Sequence, residues 1–206
     1  MKILSSRLAQ DDDTPYPFVP SPNIGASLVP DLLIMHYTAG QTEAGAVQWL
    51  INPNSGVSSH LVIGKDGSIT QVVPFNRIAW HAGASSWKGR TGLNRYSIGI
   101  ELDYPGPLTK SGDHWVASFK KDYPDTNITV AKALNGARTY GWLSYPDIQI
   151  ETAIQVAVVL FQNYKITEIL GHDEIAPGRK WDPGPAFPRE YFRTEVQKRL
   201  AGNPSP

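Results

Sequence analysis

The chain has 206 residues, of which 19 are Lys or Arg and 19 are Asp or Glu, so its formal net charge is zero. This length suits one domain with a full core, and the neutral charge gives no support for binding nucleic acid. No apolar run approaches the roughly 20 residues of a membrane-spanning helix. The absence of cysteine excludes disulfides, iron–sulfur clusters and cysteine nucleophiles.

The first third of the chain predicts one buried strand, one helix and one hairpin. Residues 1–30 are rich in Pro, Ser and Asp and are expected to form an N-terminal arm. The apolar run at 32–37 is typical of a strand buried on both faces. A helix is predicted over 42–50, where the first residue is a threonine that can cap it. Two β-rich runs, 59–64 and 68–73, flank an Asp-Gly turn and predict a hairpin.

The middle of the chain predicts loops around one alternating strand. Residues 76–96 show no steady period. At 97–103 apolar and polar residues alternate, which predicts a strand with Glu101 on its polar face. Residues 105–146 are predicted to be a long, partly ordered excursion with a short helix at 128–134, because a structureless loop of that length is unusual in a compact domain.

The C-terminal third predicts helix, strand and helix. Apolar residues at steps of three and four predict the longest helix over 147–165. A short strand follows at 167–171, and then a Pro/Gly-rich loop at 172–188, where prolines argue against a helix. A final helix is predicted from Arg189, and the tail AGNPSP at 201–206 is expected to fray.

These elements predict an α/β fold, in which a single domain holds a mixed β-sheet flanked by helices. We expect the N-terminal arm to cover residues 1–30. The main domain is expected to cover 31–201 and to include the excursion at 105–146.

Two histidines stand where predicted strands end. His36 follows an apolar strand, and His172 follows another, while Asp182 comes ten residues later in GHDEIAPGRKWDPG. Functional groups of open α/β sheets collect just beyond strand ends. Two imidazoles and one carboxylate suit Zn²⁺ and leave a fourth position for water. The alternative is that these are ordinary surface or core residues.

Lys180 and Glu101 are candidates for a role beside such a metal. Lys180 precedes Asp182 by two residues, so in an extended segment both side chains share one face. A lysine there can stabilise an oxyanion, or it can be a solvated loop residue. Glu101 can be a general base, or it can form a structural salt bridge with Arg95 or Lys180.

Four blocks of the sequence resemble the zinc-dependent N-acetylmuramoyl-L-alanine amidases of the type-2 amidase family. The resemblance favours the muropeptide-recycling branch, and it extends to T7-type phage lysozyme and the peptidoglycan recognition proteins. The blocks are MHYTAG at 35–40, VSSHLVIGKDGSITQVVPFNRIAWHAG at 57–83, SIGIEL at 97–102 and GHDEIAPGRKWDPGPAFP at 171–188. The resemblance implies the type-2 amidase, peptidoglycan-recognition-like fold, with 31–201 as the catalytic domain.

The resemblance implies a role for each matching position. His36, His172 and Asp182 match the zinc ligands of the family. Lys180 matches its catalytic lysine, and Glu101 matches the glutamate that the recycling branch uses as general base.

Other residues are less closely specified by the resemblance. His60 is expected to be a buried structural residue, and His114 a surface residue of the excursion. Four residues of the loop before the strand predicted at 97–103 can contact substrate, orient a metal ligand or serve only local loop structure. They are Trp80, His81, Arg90 and Asn94.

The resemblance implies hydrolysis of the amide between the lactyl group of N-acetylmuramic acid and L-alanine, in peptidoglycan or a soluble muropeptide. The alternatives are a non-catalytic peptidoglycan-binding module and a zinc hydrolase of another amide or ester. No nucleic-acid partner and no membrane insertion are expected. The short apolar stretch at the N-terminus does not suit a signal peptide, so we expect a cytoplasmic protein, with release as a phage or secreted lysin as the alternative.

The excursion at 105–146 is expected to form one wall of the substrate cleft. Its aromatic residues can contact sugar rings, and its Lys120, Lys121 and Arg138 can meet carboxylates of the stem peptide. The alternative is a small satellite core beneath a loop. The aromatic residues are Trp115, Phe119, Tyr123, Tyr140, Trp142 and Tyr145.

Overall fold

The computed structural model describes residues 1–202, and this part of the chain contains sixteen short strands and four helices. The expected fraying of the tail concerns mainly residues 203–206, which lie outside the described residues. The strands are β1 (Lys2–Leu4), β2 (Arg7–Ala9), β3 (Ile24–Ser27), β4 (Leu32–Tyr37), β5 (Leu61–Ile63), β6 (Ile69–Gln71), β7 (Arg77–Ala79), β8 (Ser86–Trp87), β9 (Arg90–Thr91), β10 (Ser97–Leu102), β11 (Thr109–Ser111), β12 (His114–Val116), β13 (Asp122–Pro124), β14 (Ile128–Lys132), β15 (Thr139–Leu143) and β16 (Glu168–Gly171). The helices are α1 (Glu43–Ile51), α2 (Asp147–Asn163), α3 (His172–Ile175) and α4 (Arg189–Gly202), with short 3₁₀ turns at Pro53–Ser55 and Leu93–Arg95.

A mixed five-stranded sheet forms the centre of the domain, in the order β16-β4-β10-β5-β6. The first four strands are parallel, and β6 pairs antiparallel with β5 through the predicted hairpin. The predicted α/β class with a mixed sheet is therefore confirmed. Parallel pairing brings the carboxyl ends of β4, β10 and β16 to the same edge of the sheet.

The two faces of the sheet are covered differently. Helices α2 and α4 pack together and cover one face. Because side chains alternate along a strand, the other face of β4 carries Leu32, Ile34 and His36. That face is covered by α3 and by the loop that contains Ala82 and Leu93. The apolar contacts on the helical side include Leu33, Met35, Ile98 and Ile100 from the sheet and Ile150, Ile154, Ala157, Phe192 and Val196 from the helices.

Most elements match the sequence predictions. The strand at 32–37, the helix α1, the longest helix α2, the strand β16 and the last helix α4 are confirmed. Thr42 caps α1 as expected, because its Oγ1 accepts the Gly45 N–H at 3.1 Å. Residues 1–30 contain the hairpin β1–β2, from which Leu8 is buried in the main core. The division of the chain at residue 30 stays a prediction.

Three local predictions are wrong. Residues 76–96, predicted to be loops, contain the short strands β7, β8 and β9. The segment predicted as a helix at 128–134 is the strand β14, where β-branched residues pair in register with β15. The segment 172–188 is not loop throughout, since it begins with the one-turn helix α3. That turn ends before Pro177, and the Glu174 carboxylate accepts the Gly171 N–H at 2.6 Å across its start.

The excursion is built of two small sheets. One contains β11, β12 and β13, and the other contains β14 and β15. Leu108, Trp115, Ala117 and Tyr123 form a separate buried cluster beneath them. Trp142 and Tyr145 are also buried, at 0% and 7% exposure, in the main core. The excursion thus resembles the satellite-core alternative, with its aromatic rings packed inward.

None of the helices within residues 1–202 combines the length and the apolar character needed to cross a membrane.

We predict that Ile154→Ala lowers the free energy of unfolding by about 2–5 kcal/mol, because it removes buried methyl groups where α2 meets the sheet. The matched control is Gln155→Ala on the exposed face of the same helix, which is expected to change the free energy of unfolding by no more than about 0.5 kcal/mol. Urea unfolding followed by circular dichroism measures both. Equal effects would contradict the packing of α2 against the sheet.

Candidate active site

Three chemically competent side chains lie at one edge of the sheet, where parallel strands end. Glu101 of β10 is the register partner of His36 of β4. Gly171, the last residue of β16, pairs with Met35, so the next residue, His172, reaches the level of His36. Ligand-binding groups of parallel sheets collect at such carboxyl ends. The pairing of the strands therefore brings Glu101, His36 and His172 together at this edge.

Asp182 reaches this edge from the loop that follows α3. The Asp173 N–H donates to the Asp182 carbonyl at 2.8 Å, and the Asp173 carboxylate is paired with Arg189 at 2.7 Å. Asp182 Oδ2 lies 2.9 Å from the Nδ1 atoms of both His36 and His172, which are 2.9 Å from each other. The three atoms form a buried triangle.

Hydrogen bonds on the far side of each ring assign the tautomers of the two histidines. His172 Nε2 faces the Ala82 carbonyl at 3.1 Å and must donate to it, which leaves Nδ1 as the nitrogen whose lone pair can face the triangle. His81 Nε2 faces the Ser97 carbonyl at 3.4 Å, so its Nδ1 accepts from His36 Nε2 at 2.9 Å. His36 Nδ1 is then also bare. Both nitrogens of the triangle present lone pairs to its centre.

This donor set fits a metal ion. Burial, together with the neighbouring His172 ring, lowers the pKa of His36 to about 4, so the His36 ring is neutral at pH 7. Burial alone would raise the pKa of Asp182, but the His172 and His36 rings beside its carboxylate outweigh burial and hold that pKa well below its usual range. Two lone pairs and a carboxylate oxygen at mutual distances of 2.9 Å repel one another unless a cation balances them. His36, His172 and Asp182 can therefore hold a metal, and their N₂O set suits zinc.

The triangle forms the floor of an open cleft of about 700 Å³. Glu101 and Lys180 line the same cleft. Its walls include Trp80, which is 38% exposed, and His81. Three further aromatic side chains, Tyr37, Trp49 and Trp181, also line it.

Glu101 has the environment of a proton acceptor. It is partly buried, and burial raises its pKa well above the ordinary value; the negative charge of Asp182 adds to the rise, and the positive charge of Lys180 opposes it. Among the ion pairs of residues 1–202, none joins Glu101 to Arg95 or Lys180. A carboxyl group with a raised pKa in a cleft is suited to general acid–base chemistry.

Arg90 and Asn94 lie outside the cleft and hold the loop that forms its wall. Arg90 Nη1 is paired with Asp31 Oδ2 at 2.6 Å. Asn94 Oδ1 accepts two successive backbone N–H groups, those of His81 at 3.0 Å and Ala82 at 2.7 Å. The structure thus brings Trp80 and His81 of the four predicted loop residues to the cleft, and it leaves the other two behind them.

The remaining histidines have no place in the triangle. His60 is fully buried: its Nε2 donates to the Arg77 carbonyl at 3.0 Å, and its Nδ1 accepts the Gly99 N–H at 3.0 Å. It has the buried structural position predicted from the sequence. His114 stands half-exposed on β12, with Asp122 at 3.5 Å.

Several contributors to the site were not predicted. The Ala82 carbonyl is a backbone atom, so the sequence gives no indication of its role. The role of Gly99 could have been predicted, because a glycine inside a strand often marks a place where another group approaches the backbone closely. A Cβ at Gly99 would lie 2.5 Å from Cγ of His81, so only glycine leaves room for that ring. Trp181 stands between Lys180 and Asp182 in the motif, but its place in the wall depends on the loop conformation.

Comparison with known proteins identifies the family. The model of the N-acetylmuramoyl-L-alanine amidase family matches residues 26–185. The chain belongs to this family. It is 36% identical over 144 residues to the 1,6-anhydro-N-acetylmuramyl-L-alanine amidase AmpD of Escherichia coli, covering 69% of this chain and 60% of that protein.

Solved structures of the amidase family share this fold. A crystal structure of AmpD superposes with a TM-score of 0.68 at 30% identity, covering 95% of this chain and 99% of that one. AmiD from E. coli, in complex with anhydro-N-acetylmuramic acid-L-Ala-D-gamma-Glu-L-Lys, superposes with a TM-score of 0.59 at 29% identity, covering 96% of this chain and 67% of that one.

We predict that the His60 ring stays neutral until the pH approaches 4, because burial lowers its pKa to about 4 from the ordinary value of 6.5. Between these two values the unfolded chain binds more protons than the folded chain, so stability falls as the pH falls. The contribution of one such histidine is at most about 1.4 kcal/mol per pH unit. Imidazole NMR titration and urea unfolding at pH 7 and 5 check this. A His60 ring that titrates near the ordinary value would contradict it.

Proposed function

We propose that this chain hydrolyses the amide bond between the lactyl group of N-acetylmuramic acid and L-alanine, in peptidoglycan or in a soluble muropeptide. The observation that carries the proposal is the buried triangle of His36, His172 and Asp182 beside Glu101 on the floor of an open cleft. The activities named for AmpD and AmiD support the choice of bond. The match spans 60% of the length of E. coli AmpD, so the activity of that whole protein is carried over as a proposal.

The same proposal assigns one zinc ion per chain to His36, His172 and Asp182. When bound, zinc polarises a carbonyl group and lowers the pKa of water toward about 7. The chain keeps both imidazole lone pairs directed at the ion, because His81 and the Ala82 carbonyl bond the opposite nitrogens. Such outer partners fix ligand orientation in metal sites.

Glu101 and Lys180 are proposed to act on the proton and on the developing charge. Glu101 accepts the proton of the attacking water and passes it to the departing alanine nitrogen. Its raised pKa favours the first transfer, because a more basic carboxylate accepts a proton more readily and is then the protonated acid that the second transfer needs. Lys180 stabilises the oxyanion of the tetrahedral intermediate. Loss of such a group typically lowers the rate on the order of 10²–10³-fold.

The loop residues are assigned supporting roles. Trp80, partly exposed on the cleft wall, is proposed to contact the substrate. His81 orients His36, and Asn94 holds the backbone that carries His81. Arg90 anchors the same loop through Asp31.

Product analysis tests the reaction against its alternatives. Purified protein is incubated with whole sacculi and, in parallel, with soluble anhydro-muropeptides, and the products are identified by mass spectrometry. We expect release of the intact stem peptide from at least one of them. Binding without cleavage would indicate a recognition module, and neither binding nor cleavage would indicate a hydrolase of another amide or ester. The preferred substrate separates a recycling enzyme from a lysin.

We predict that His36→Ala, His172→Ala and Asp182→Ala each lose the zinc, since each removes one of three ligands. The control is His114→Ala, which removes a half-exposed histidine outside the triangle and should keep one zinc per chain. Metal analysis of the purified variants and removal and restoration of zinc with a chelator are the measurements. Full zinc occupancy in His172→Ala would overturn the ligand assignment.

We predict that Glu101→Gln keeps the fold and the zinc but loses turnover by about 10²–10⁴-fold, because glutamine preserves the shape of the side chain and cannot accept a proton. The control is Glu190→Gln, which changes a glutamate that is 87% exposed on α4. Steady-state hydrolysis of a muropeptide measures both. Near-normal turnover of a folded, zinc-loaded Glu101→Gln protein would mean that Glu101 has a structural role.

A further inference from the structure

The loop that carries Asp182 has little secondary structure of its own to hold it. We call residues 180–184 the aspartate loop. Its Asp182 carbonyl is bonded to the Asp173 N–H, but beyond Asp182 the chain runs through Pro183 and Gly184. Asp182 nevertheless has to keep Oδ2 2.9 Å from two histidine nitrogens. In a well-formed metal site the metal–ligand distances lie within about 0.2 Å of their ordinary values.

The excursion contacts this loop at the two residues that follow Asp182. The hydroxyl of Tyr145, just after β15, donates to the Pro183 carbonyl at 2.8 Å, and this bond is buried. The indole of Trp142 covers Gly184 so closely that a Cβ there would lie 2.7 Å from Cζ3. Pro183 and Gly184 are therefore enclosed by two side chains of the excursion.

A third aromatic ring of the excursion reaches the other end of the aspartate loop. Tyr140 and Trp142 are two residues apart on β15, so their side chains share one face. The Tyr140 ring lies 5.3 Å, between centroids, from the ring of Trp181, which stands next to Asp182 and lines the cleft. The excursion thus contacts the loop both before and after the ligand.

Contacts with β14 and with Tyr104 hold two of these aromatic residues, Trp142 and Tyr145, in place. Trp142 Nε1 donates to the Ala131 carbonyl of β14 at 3.0 Å. Tyr145 is stacked on Tyr104 with centroids 4.2 Å apart. The Tyr104 hydroxyl donates to the Leu143 carbonyl at 2.8 Å and does not bond the aspartate loop. Of the two stacked tyrosine hydroxyls, only that of Tyr145 bonds the aspartate loop.

We propose that Tyr145, with Trp142 and Tyr140, is a positioning residue for Asp182, and that the excursion supports the metal site from behind. The proposal rests on the proposed function, because it takes Asp182 as a metal ligand. Among residues 105–146, all described by the structure, none lines the cleft, so the expected cleft wall is corrected to a support beneath it. The reason is that the aromatic rings expected to meet sugars are packed inward.

The test compares Tyr145→Phe with Tyr104→Phe. Each variant removes one tyrosine hydroxyl that bonds a backbone carbonyl in the same aromatic stack, so a purely structural role predicts similar losses of thermal stability and no difference in metal binding. The zinc dissociation constant is measured by competition with a chromophoric chelator. The visible absorption spectrum of the Co²⁺-loaded proteins reports the geometry of the ligands independently of activity.

We predict that Tyr145→Phe weakens zinc binding about tenfold and changes the Co²⁺ spectrum, whereas Tyr104→Phe leaves both close to the parent. Equal affinity and equal spectra for the two variants would overturn the positioning role. A parent protein that binds neither zinc nor Co²⁺ would overturn the proposed function as well, so the two failures are distinguishable.

Tyr140→Leu keeps the proposal testable if Tyr145→Phe does not fold. Tyr140 is only partly buried, so its loss should be tolerated. The expected result is weaker zinc binding in the same direction as Tyr145→Phe. Unchanged zinc affinity and an unchanged Co²⁺ spectrum in this folded variant would overturn the role of the excursion.

Discussion

The parallel pairing of β4 with β10 and β16 is the constraint on which the site depends. Because Glu101 pairs with His36, and Gly171 with Met35, the register alone sets which side chains meet at the carboxyl edge. A shift of one residue would turn His36 toward the helical face of the sheet. Both faces of β4 are buried, so such a shift would require repacking of the helical face, which holds Leu33 and Met35, and of the opposite face, which holds Leu32 and Ile34. The hydrophobic core therefore specifies the site as firmly as the polar residues do.

The same burial that fixes the register makes the histidines useful. Removal from water lowers the pKa of His36 to about 4, which keeps a lone pair available at neutral pH. A buried ring still needs hydrogen-bond partners. His36 bonds His81, and His81 in turn bonds the Ser97 carbonyl. Gly99 leaves the space for the His81 ring in this series of hydrogen bonds. Desolvation and hydrogen bonding thus act together: the first removes the proton, and the second decides which nitrogen loses it.

The fold and the candidate ligands were predictable where the signal is local. The apolar run before His36, the alternation around Glu101 and the period of α2 each lie within one segment, and all three are confirmed as elements. The excursion was not predictable in this way, because its strands have at most five residues and take their pairing from each other. The segment 128–134 was predicted as a helix because its own residues do not show that β15 lies beside it and pairs with it.

Contacts of the backbone were the second limit on prediction. No property of Ala82 as a residue type indicates that its carbonyl bonds His172, since any residue there would offer the same atom. Asn94 was singled out in the loop before β10, yet its partners are two backbone N–H groups, and only the folded loop brings them to its side chain. Sequence therefore indicates which side chains have unusual chemistry, and the fold decides whether they meet the substrate or hold those that do.

The arrangement separates substrate contact from ligand support. The cleft is lined from α1, from the loop at Trp80 and from Trp181, while the excursion packs behind the aspartate loop. Trp49 on α1 is 58% exposed and lies on the cleft rim, so it can change without disturbing the core. Trp142, by contrast, is fully buried against Gly184, two residues after Asp182, so under the proposed positioning role a change in its shape would reach Asp182. Substrate preference can then vary on the α1 side of the cleft, while the excursion is constrained by the geometry that Asp182 needs.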